Sequence, residues 1–239
     1  MIATAVNRGM SHMANDPNDF HAIAAAALAM IPDGSVVGLG TGQAATAFIH
    51  ALGARVKAGL RVRGIPTSDA SANLAKQLGI PLTTFDADAS IDVAVDGADE
   101  VDPQLELIKG YGGALVREKI VAAAARRFVV LAGPEKVVPV LGTRGKLPVE
   151  VVPFGLVLCR QRLRALGLDP QQRLRDGKPY VTDNGNLILD CGIKPLAAPA
   201  ELEQAMLAIP GVVGTGLFIG MAHTVLIGRG NNVDTRQRP

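Results

Sequence analysis

A chain of 239 residues with 48% apolar and 19% charged positions has material for one large folded unit or two small ones, and reads as a soluble globular protein. Its net charge of +2 and its 3% aromatic content without Trp argue against a nucleic-acid surface, which needs basic patches and rings for stacking. Cys159 and Cys191 are too few for a disulfide framework and indicate a reducing compartment, while no apolar run reaches the ~20 residues that span a bilayer.

Met1 to Asn18 has no long apolar core of the secretory kind and is expected to be a disordered leader or expression remnant. Asp19 to Met30 is Ala-rich and stops at Ile31-Pro32-Asp33-Gly34, which predicts a helix. Ser35 to Leu39 predicts a strand that runs into Gly38-Leu39-Gly40-Thr41-Gly42, followed by a helix over Ala44 to Leu52. Strand, glycine-rich turn and helix present N–H groups and a helix dipole to a phosphate. The dinucleotide fingerprint fits badly, because Gln43 stands where its third glycine belongs. A plain turn and a site for the phosphate of a small substrate remain as readings.

Arg61 to Ile65 predicts the next strand and is followed by Pro66-Thr67-Ser68-Asp69-Ala70-Ser71 and a helix to Leu78. Thr67, Ser68 or Ser71 suits that helix as a cap, and the same hydroxyls at a strand's carboxyl end suit a polyol pocket. Pro81 to Phe85 predicts a short strand, and Ile91 to Val95 a buried parallel one. The latter ends in Asp96-Gly97-Ala98-Asp99-Glu100. Lys109, the turn Gly110-Tyr111-Gly112-Gly113 and a helix with Glu118 near its start come next. Carboxylates, a lysine and turn N–H groups at the carboxyl end of a strand make a proton-transfer toolkit where open α/β sheets bind ligands. The plain readings are a simple turn for the two aspartates, a solvated loop lysine, and a glutamate that stabilises a helix N-terminus.

Phe128 to Ala132 predicts another buried strand, with Lys136 one loop beyond its end. The pattern then changes. A strand over Leu147 to Val152, a helix over Phe154 to Leu166, strands over Gln172 to Thr182 and Asn186 to Asp190 joined around Asp183-Asn184-Gly185, a helix over Pro199 to Ile209 and a strand over Val212 to Phe218 follow in turn. This β-α-β-β-α-β order is that of a ferredoxin-like unit. His223 to Ile227, too short to stand alone, is expected to rejoin the first sheet. The fold class is therefore α/β, a doubly wound, mainly parallel Rossmann-like sheet over 19–145 and 220–239 with an α+β unit inserted at 146–219. No metal is implied: His12, His21, His50 and His223 are scattered, and no pair has helix-face ligand spacing.

These pieces together carry a resemblance. Gly38-Leu39-Gly40-Thr41-Gly42, Thr67-Ser68-Asp69-Ala70-Ser71, the Asp96 to Glu100 segment, Lys109 to Lys119, Leu147 to Val151 and Val181 to Asn186 are similar, in order, to the ribose-5-phosphate isomerase A family. The resemblance runs from about Phe20 onward. It implies a cytoplasmic, cofactor-free and metal-free homo-oligomer, dimer or tetramer, with a sugar-phosphate substrate and neither a nucleic-acid nor a membrane partner. It implies interconversion of D-ribose 5-phosphate and D-ribulose 5-phosphate in the non-oxidative pentose phosphate pathway. Residue by residue, Glu118 matches the proton acceptor and Asp96 and Asp99 the substrate-contacting acids, with Asp96 assigned to ring opening and Asp99 to positioning near Lys109. Lys109 with Gly110, Tyr111 and Gly112, then Gly97, Ala98, Ser68 and Lys136, match further contacts, and Thr41, Gly42, Gln43 and Ala44 match the phosphate loop. The family's loop usually reads Gly-Thr-Gly-Ser-Thr, so Gln43 and Ala44 remove two hydroxyl donors. Phe20-His21 stands about where a family lysine is common. A non-catalytic sugar-phosphate sensor on the same fold is the competing reading, and a transferase with a glutamate nucleophile a third. The Val181 to Asn186 segment is assigned to structure alone.

Overall fold

The computed structural model describes residues 17–85 and 90–238. The first part of the chain forms α1 (Pro17–Leu28), β1 (Ser35–Leu39), α2 (Gln43–Lys57), β2 (Val62–Pro66), α3 (Asp69–Gln77) and β3 (Ile91–Gly97). Two short strands, β4 (Glu100–Val101) and β5 (Leu107–Ile108), precede α4 (Leu115–Ala124) and β6 (Ala125–Ala132). The second part holds β7 (Lys146–Val151), α5 (Leu156–Ala165), β8 (Asp169–Gln172), β9 (Leu174–Arg175), β10 (Lys178–Pro179), β11 (Leu187–Gly192), α6 (Pro199–Leu207) and β12 (Val212–Thr215). The chain ends with β13 (Leu217–Phe218), β14 (Thr224–Arg229) and β15 (Asn232–Gln237).

The main sheet has the order β15-β14-β6-β3-β1-β2, parallel except for the β15 edge. Its inner strands β1, β3 and β14 and the second half of β6 are near-continuous apolar runs because both faces are covered, and the period of two divides each run between two cores. Val37, Leu39, Val93, Val95, Val129 and Leu131 face the helical layer that holds Phe48, Ile49 and Leu52 of α2. Val36, Ala94, Phe128 and Val130 face the other way, onto Val121 and Ala122 of α4 and onto Leu107. Ala45, Phe48, Ile49 and Leu52 recur at helical spacing and are fully buried, which is why α2 forms and lies where it does. Burial of each such large side chain contributes roughly 1.5–3 kcal/mol. The last strand pair rejoins this sheet as expected, since β14 runs parallel to β6.

The second sheet, ordered β12-β7-β11-β8 and antiparallel throughout, has the split arrangement of a β-α-β-β-α-β unit. Leu147, Val149 and Val151 pack on Cys159 and Leu163 of α5 and Met206 of α6. The opposite face meets α4: a Cβ added at Gly214 would lie 2.8 Å from Val116 Cγ2.

Several expectations need correction. Helix α1 starts at Pro17, a favoured first helical residue, two positions before the expected Asp19; residues 1–16, with His12 and most of the segment expected to be a leader, lie outside the described residues. Pro81 to Phe85 makes only one parallel bridge, Leu82 with Gly64, instead of a strand. Pro81 has no N–H to give, and the exposed Thr84 and Phe85 gain nothing from pairing. The strand expected over Gln172 to Thr182 breaks at Arg173. Leu174 to Pro179 folds on itself instead through Asp176-Gly177, both at positive φ, a two-residue hairpin signal that the sequence reading passed over. Val181 then makes a single bridge to Leu187 around the 183–185 turn. The strand expected over Val212 to Phe218 divides at Gly216, where a Cβ would meet Lys109 O at 2.4 Å. Its first half joins the second sheet and its second half pairs with β5.

Candidate active site

The strands β1, β3 and β6 end side by side, and strand order reverses between β1 and β3 because β2 lies on one side and β6 and β14 on the other. Loops there diverge and leave a crevice. A cleft of about 350 Å³ occupies the place, walled by Thr41 to Ala44, Gly97 to Asp99, Lys109 to Gly112, Glu118, Lys136, Phe20 and the end of β6 at Leu131 to Gly133.

One end of the cleft is a buried charge cluster. Asp96, Lys109 and Glu118 are each less than 5% exposed. Lys109 Nζ lies 3.1 Å from Asp96 Oδ2 and 3.1 Å from Glu118 Oε2, and donates to Gly97 O at 2.6 Å. Asp96 Oδ1 accepts from Thr41 N at 3.0 Å and Gly97 N at 2.7 Å. Such an approach of β1 to β3 requires Gly40, because a Cβ there would lie 2.3 Å from Asp96 Oδ1. Glu118 Oε2 is held by the Lys109 ammonium, which it shares with Asp96. One buried cation between two buried carboxylates leaves each carboxylate only partly compensated.

The electrostatics follow from two carboxylates that share one ammonium out of water. Burial, and then repulsion from Asp96, push Glu118 up to about 8 against the pull of Lys109. Burial also raises Asp96, opposed by Lys109 and two backbone N–H groups. Burial by itself would lower Lys109, but Asp96, Glu118 and Asp99 raise it, so it stays cationic. A carboxyl poised near neutrality beside a fixed positive charge is fit for general-base work.

Asp96 lies beneath the cleft rather than in its wall, whereas Asp99 lines it. Asp96 touches the cleft through Lys109, whose ammonium it holds at 3.1 Å, while Asp99 faces the cleft directly. Asp99 Oδ2 accepts from Tyr111 N at 2.9 Å, and Gly113 N is bonded to Gly110 O at 3.0 Å. Two of the turn's N–H groups, those of Tyr111 and Gly113, are thus already engaged within the protein. Arg173, which the sequence reading missed, donates from Nη1 to Gly110 O at 3.1 Å and Tyr111 O at 3.0 Å and fixes this turn from behind. It lies some 60 residues downstream in the chain, and no local pattern marks it.

The other end is made of backbone. Helix α2 follows Gly42 at φ 103° with no side-chain cap, so the first N–H groups of a 15-residue helix are open to an anion. Gln43 and Ala44 line this end, with Lys136 on a turn of 3-10 helix after β6. Thr41 Oγ1 lies 2.8 Å from both Thr67 Oγ1 and Ser68 Oγ, and Ser71 Oγ donates to Gly40 O at 2.6 Å. These hydroxyls tie the loop to α3. Ser68 caps α3 by accepting from Ser71 N at 3.1 Å and is absent from the cleft wall, so the capping alternative describes it. Phe20 and Leu131 to Gly133 are cleft residues that sequence reasoning did not assign; the rule that ligands sit at strand ends pointed to the latter. Among the described residues no cluster of three His, Cys, Asp or Glu side chains is placed to hold a metal ion, and no helix is long and apolar enough to cross a membrane. His223 Nδ1 accepts from Phe128 N at 3.1 Å, a structural use.

A family model described as ribose 5-phosphate isomerase A (phosphoriboisomerase A) matches residues 63–232. The ribose-5-phosphate isomerase A of Roseiflexus sp. is 56% identical over 204 residues, 84% of this chain and 88% of that protein. That of Bradyrhizobium diazoefficiens is 48% identical over 229 residues, 90% of this chain and 95% of its own length. Among solved structures, ribose 5-phosphate isomerase A from Methanocaldococcus jannaschii superposes with a TM-score of 0.88 at 42% identity, covering 92% of this chain and 98% of that one. A D-ribose-5-phosphate isomerase in complex with phospho-erythronic acid superposes with a TM-score of 0.90 at 37% identity, covering 94% and 100%. With the glutamate–lysine–aspartate cluster at the switch point and identity of this extent, the chain belongs to the ribose 5-phosphate isomerase A family.

Proposed function

We propose that the chain interconverts D-ribose 5-phosphate and D-ribulose 5-phosphate through an enediolate, and that it does so without a metal. The observation that carries the reading is Glu118, buried, pushed up to about 8 by burial and Asp96, and facing a cleft whose far end is an open helix N-terminus. The phosphate occupies the start of α2 with Lys136, which leaves the reacting carbons at the buried cluster. Glu118 takes the proton from C2, the C1 carbonyl gains the electron pair, and the same proton returns to C1. The hydroxyl proton passes from O2 to O1. Lys109 stabilises the charge on oxygen, an effect typically worth about 3 kcal/mol in a preorganised site. Asp99, in the cleft wall, opens the sugar ring and holds its hydroxyls. A non-catalytic sensor would have no use for a carboxylate held near neutral pKa beside a buried lysine.

A homo-oligomer is supported by the fully exposed Phe154, just before α5, and the largely exposed Val157 in its first turn, apolar surface that a second copy would cover. A cytoplasmic location is supported by Cys159 and Cys191, both unpaired and buried. The test is turnover of D-ribose 5-phosphate with chelator present, wild type beside Glu118→Gln. Fast wild-type turnover and a nearly inactive variant are expected. Saturable binding without turnover in the wild type would sink the isomerase reading, and near-normal turnover in Glu118→Gln would sink the assignment of the base.

A further inference from the structure

The segment Thr182 to Asn186 has no part in the cleft, yet it is held by an unusual device. Glu150 is fully buried on the face of the second sheet opposite α5 and α6. Its Oε1 accepts from Thr182 Oγ1 at 3.0 Å, Asn184 Nδ2 at 3.0 Å and Asn186 Nδ2 at 2.9 Å, while its Oε2 has no hydrogen-bond partner among the described residues. A buried carboxylate converged upon by three side chains of one turn freezes that turn's shape, since loss of any donor would leave charge out of water with less to hold it.

The frozen turn then grips the first sheet's helices at two places. Arg117 Nε donates to Asn184 Oδ1 at 2.9 Å and Arg117 Nη2 to Asp183 O at 2.7 Å. Asp183 Oδ2 accepts the first helical N–H of α3, from Asp69, at 2.8 Å, and Arg117 Nη1 closes the ring on Asp69 Oδ1 at 2.9 Å. Arg117 immediately precedes Glu118 in the first turn of α4, and α3 carries the Ser68 cap that bonds Thr41. One turn of the second sheet therefore contacts both the helix that carries the base and the helix behind the phosphate loop.

We propose that Arg117, Asn184 and Glu150 form a clasp that positions α4, so that Glu118 is held against Lys109 in register with the phosphate loop. They are positioning residues: none lines the cleft. The proposal rests on the isomerase reading for its kinetic consequence, but not for its structural one. A planar fork bonded on three sides is a directional restraint that a single point charge would not supply. A base displaced by a fraction of an ångström loses rate without losing ligand affinity.

The test uses the full chain with Arg117→Ala, Asn184→Ala and the double variant; because Asn184 also donates to the buried Glu150, thermal melts of each variant accompany the kinetics. Each single variant is expected to lower kcat about tenfold with KM changed less than about threefold, and the double variant to lose less than the product of the two singles, because both remove the shared Arg117–Asn184 bond. Backbone hydrogen exchange over residues 115–119 is expected to quicken in both while β3 and β6 keep wild-type protection. Unchanged kcat and unchanged exchange over 115–119 would overturn the clasp. Loss spread equally over kcat, KM and every segment's exchange would also overturn it, by showing general destabilisation. Wild type without turnover would overturn the isomerase reading, and the exchange pattern would then judge the clasp by itself.

Discussion

The two ends of the cleft solve opposite problems with opposite materials. The proton-transfer end uses side chains taken almost wholly out of water: Asp96, Lys109 and Glu118, each with geometry fixed by a neighbour. The proposed phosphate end offers main-chain N–H groups at the start of α2, which Gly42 leaves without a side-chain cap. Chemistry that depends on a shifted proton affinity tolerates no substitution, whereas anion binding by backbone tolerates considerable change in side chains.

The sharpest way to break this contrast is at the base. Glu118→Gln is expected to lower kcat by about 10³-fold with little change in KM, within the range for loss of a general base, as read by steady-state assay. The wild-type pH profile carries the same information. Glu118 works only when ionised, so kcat/KM should climb as pH rises toward about 8 and level off above it. The sign for stability is the reverse. A carboxyl raised from 4.5 to about 8 by the fold favours folding most below 4.5, and that contribution is lost as pH rises through about 8. Thermal melts across this window check it; stability that rose through the same interval would contradict the buried, raised carboxyl.

Lys109→Met should cost about 10²-fold in kcat and also lower the melting temperature, because it leaves two buried carboxylates without their cation. Calorimetry beside kinetics separates the two losses. At the opposite end, Lys136→Ala is expected to raise KM for the sugar phosphate about tenfold and leave kcat within about twofold, since it removes one charge from a site whose other donors are backbone. The smallest effect tests the altered loop directly. Gln43→Ser with Ala44→Thr should lower KM about two- to fivefold by restoring two hydroxyl donors, again with kcat unchanged. A change in kcat at either phosphate-end variant would erase the distinction between the ends.

Legibility in the sequence followed the same division. The parallel strands were readable because burial on both faces writes continuous apolar runs such as Ile91 to Val95 and Phe128 to Ala132. Glu118, Lys109 and Asp99 were singled out by the family resemblance, since each alone also suits a plain helix-end, loop or turn role, and all three line the cleft. The burial of Asp96 was not legible, because it depends on a backbone approach permitted at Gly40, more than fifty residues away. Arg173 and Phe20 were hidden for the same reason, tertiary packing alone bringing the one behind the Gly110–Tyr111 turn and the other to the cleft wall. The break at Arg173 turned on a choice between two Gly turns, Asp176-Gly177 and Asp183-Asn184-Gly185, of which the structure uses both.

Helix α1 carries Phe20 into the cleft wall and packs on β14 and β15. Helix α1 has the neighbouring α2 to pack on at once, but the rest of its seat is made of strands that follow about two hundred residues later. Until those strands close against β6, the seat of the helix that bears Phe20 is incomplete. Assembly of the ligand space is in this way coupled to the slowest kind of contact a chain makes, that between its most distant parts.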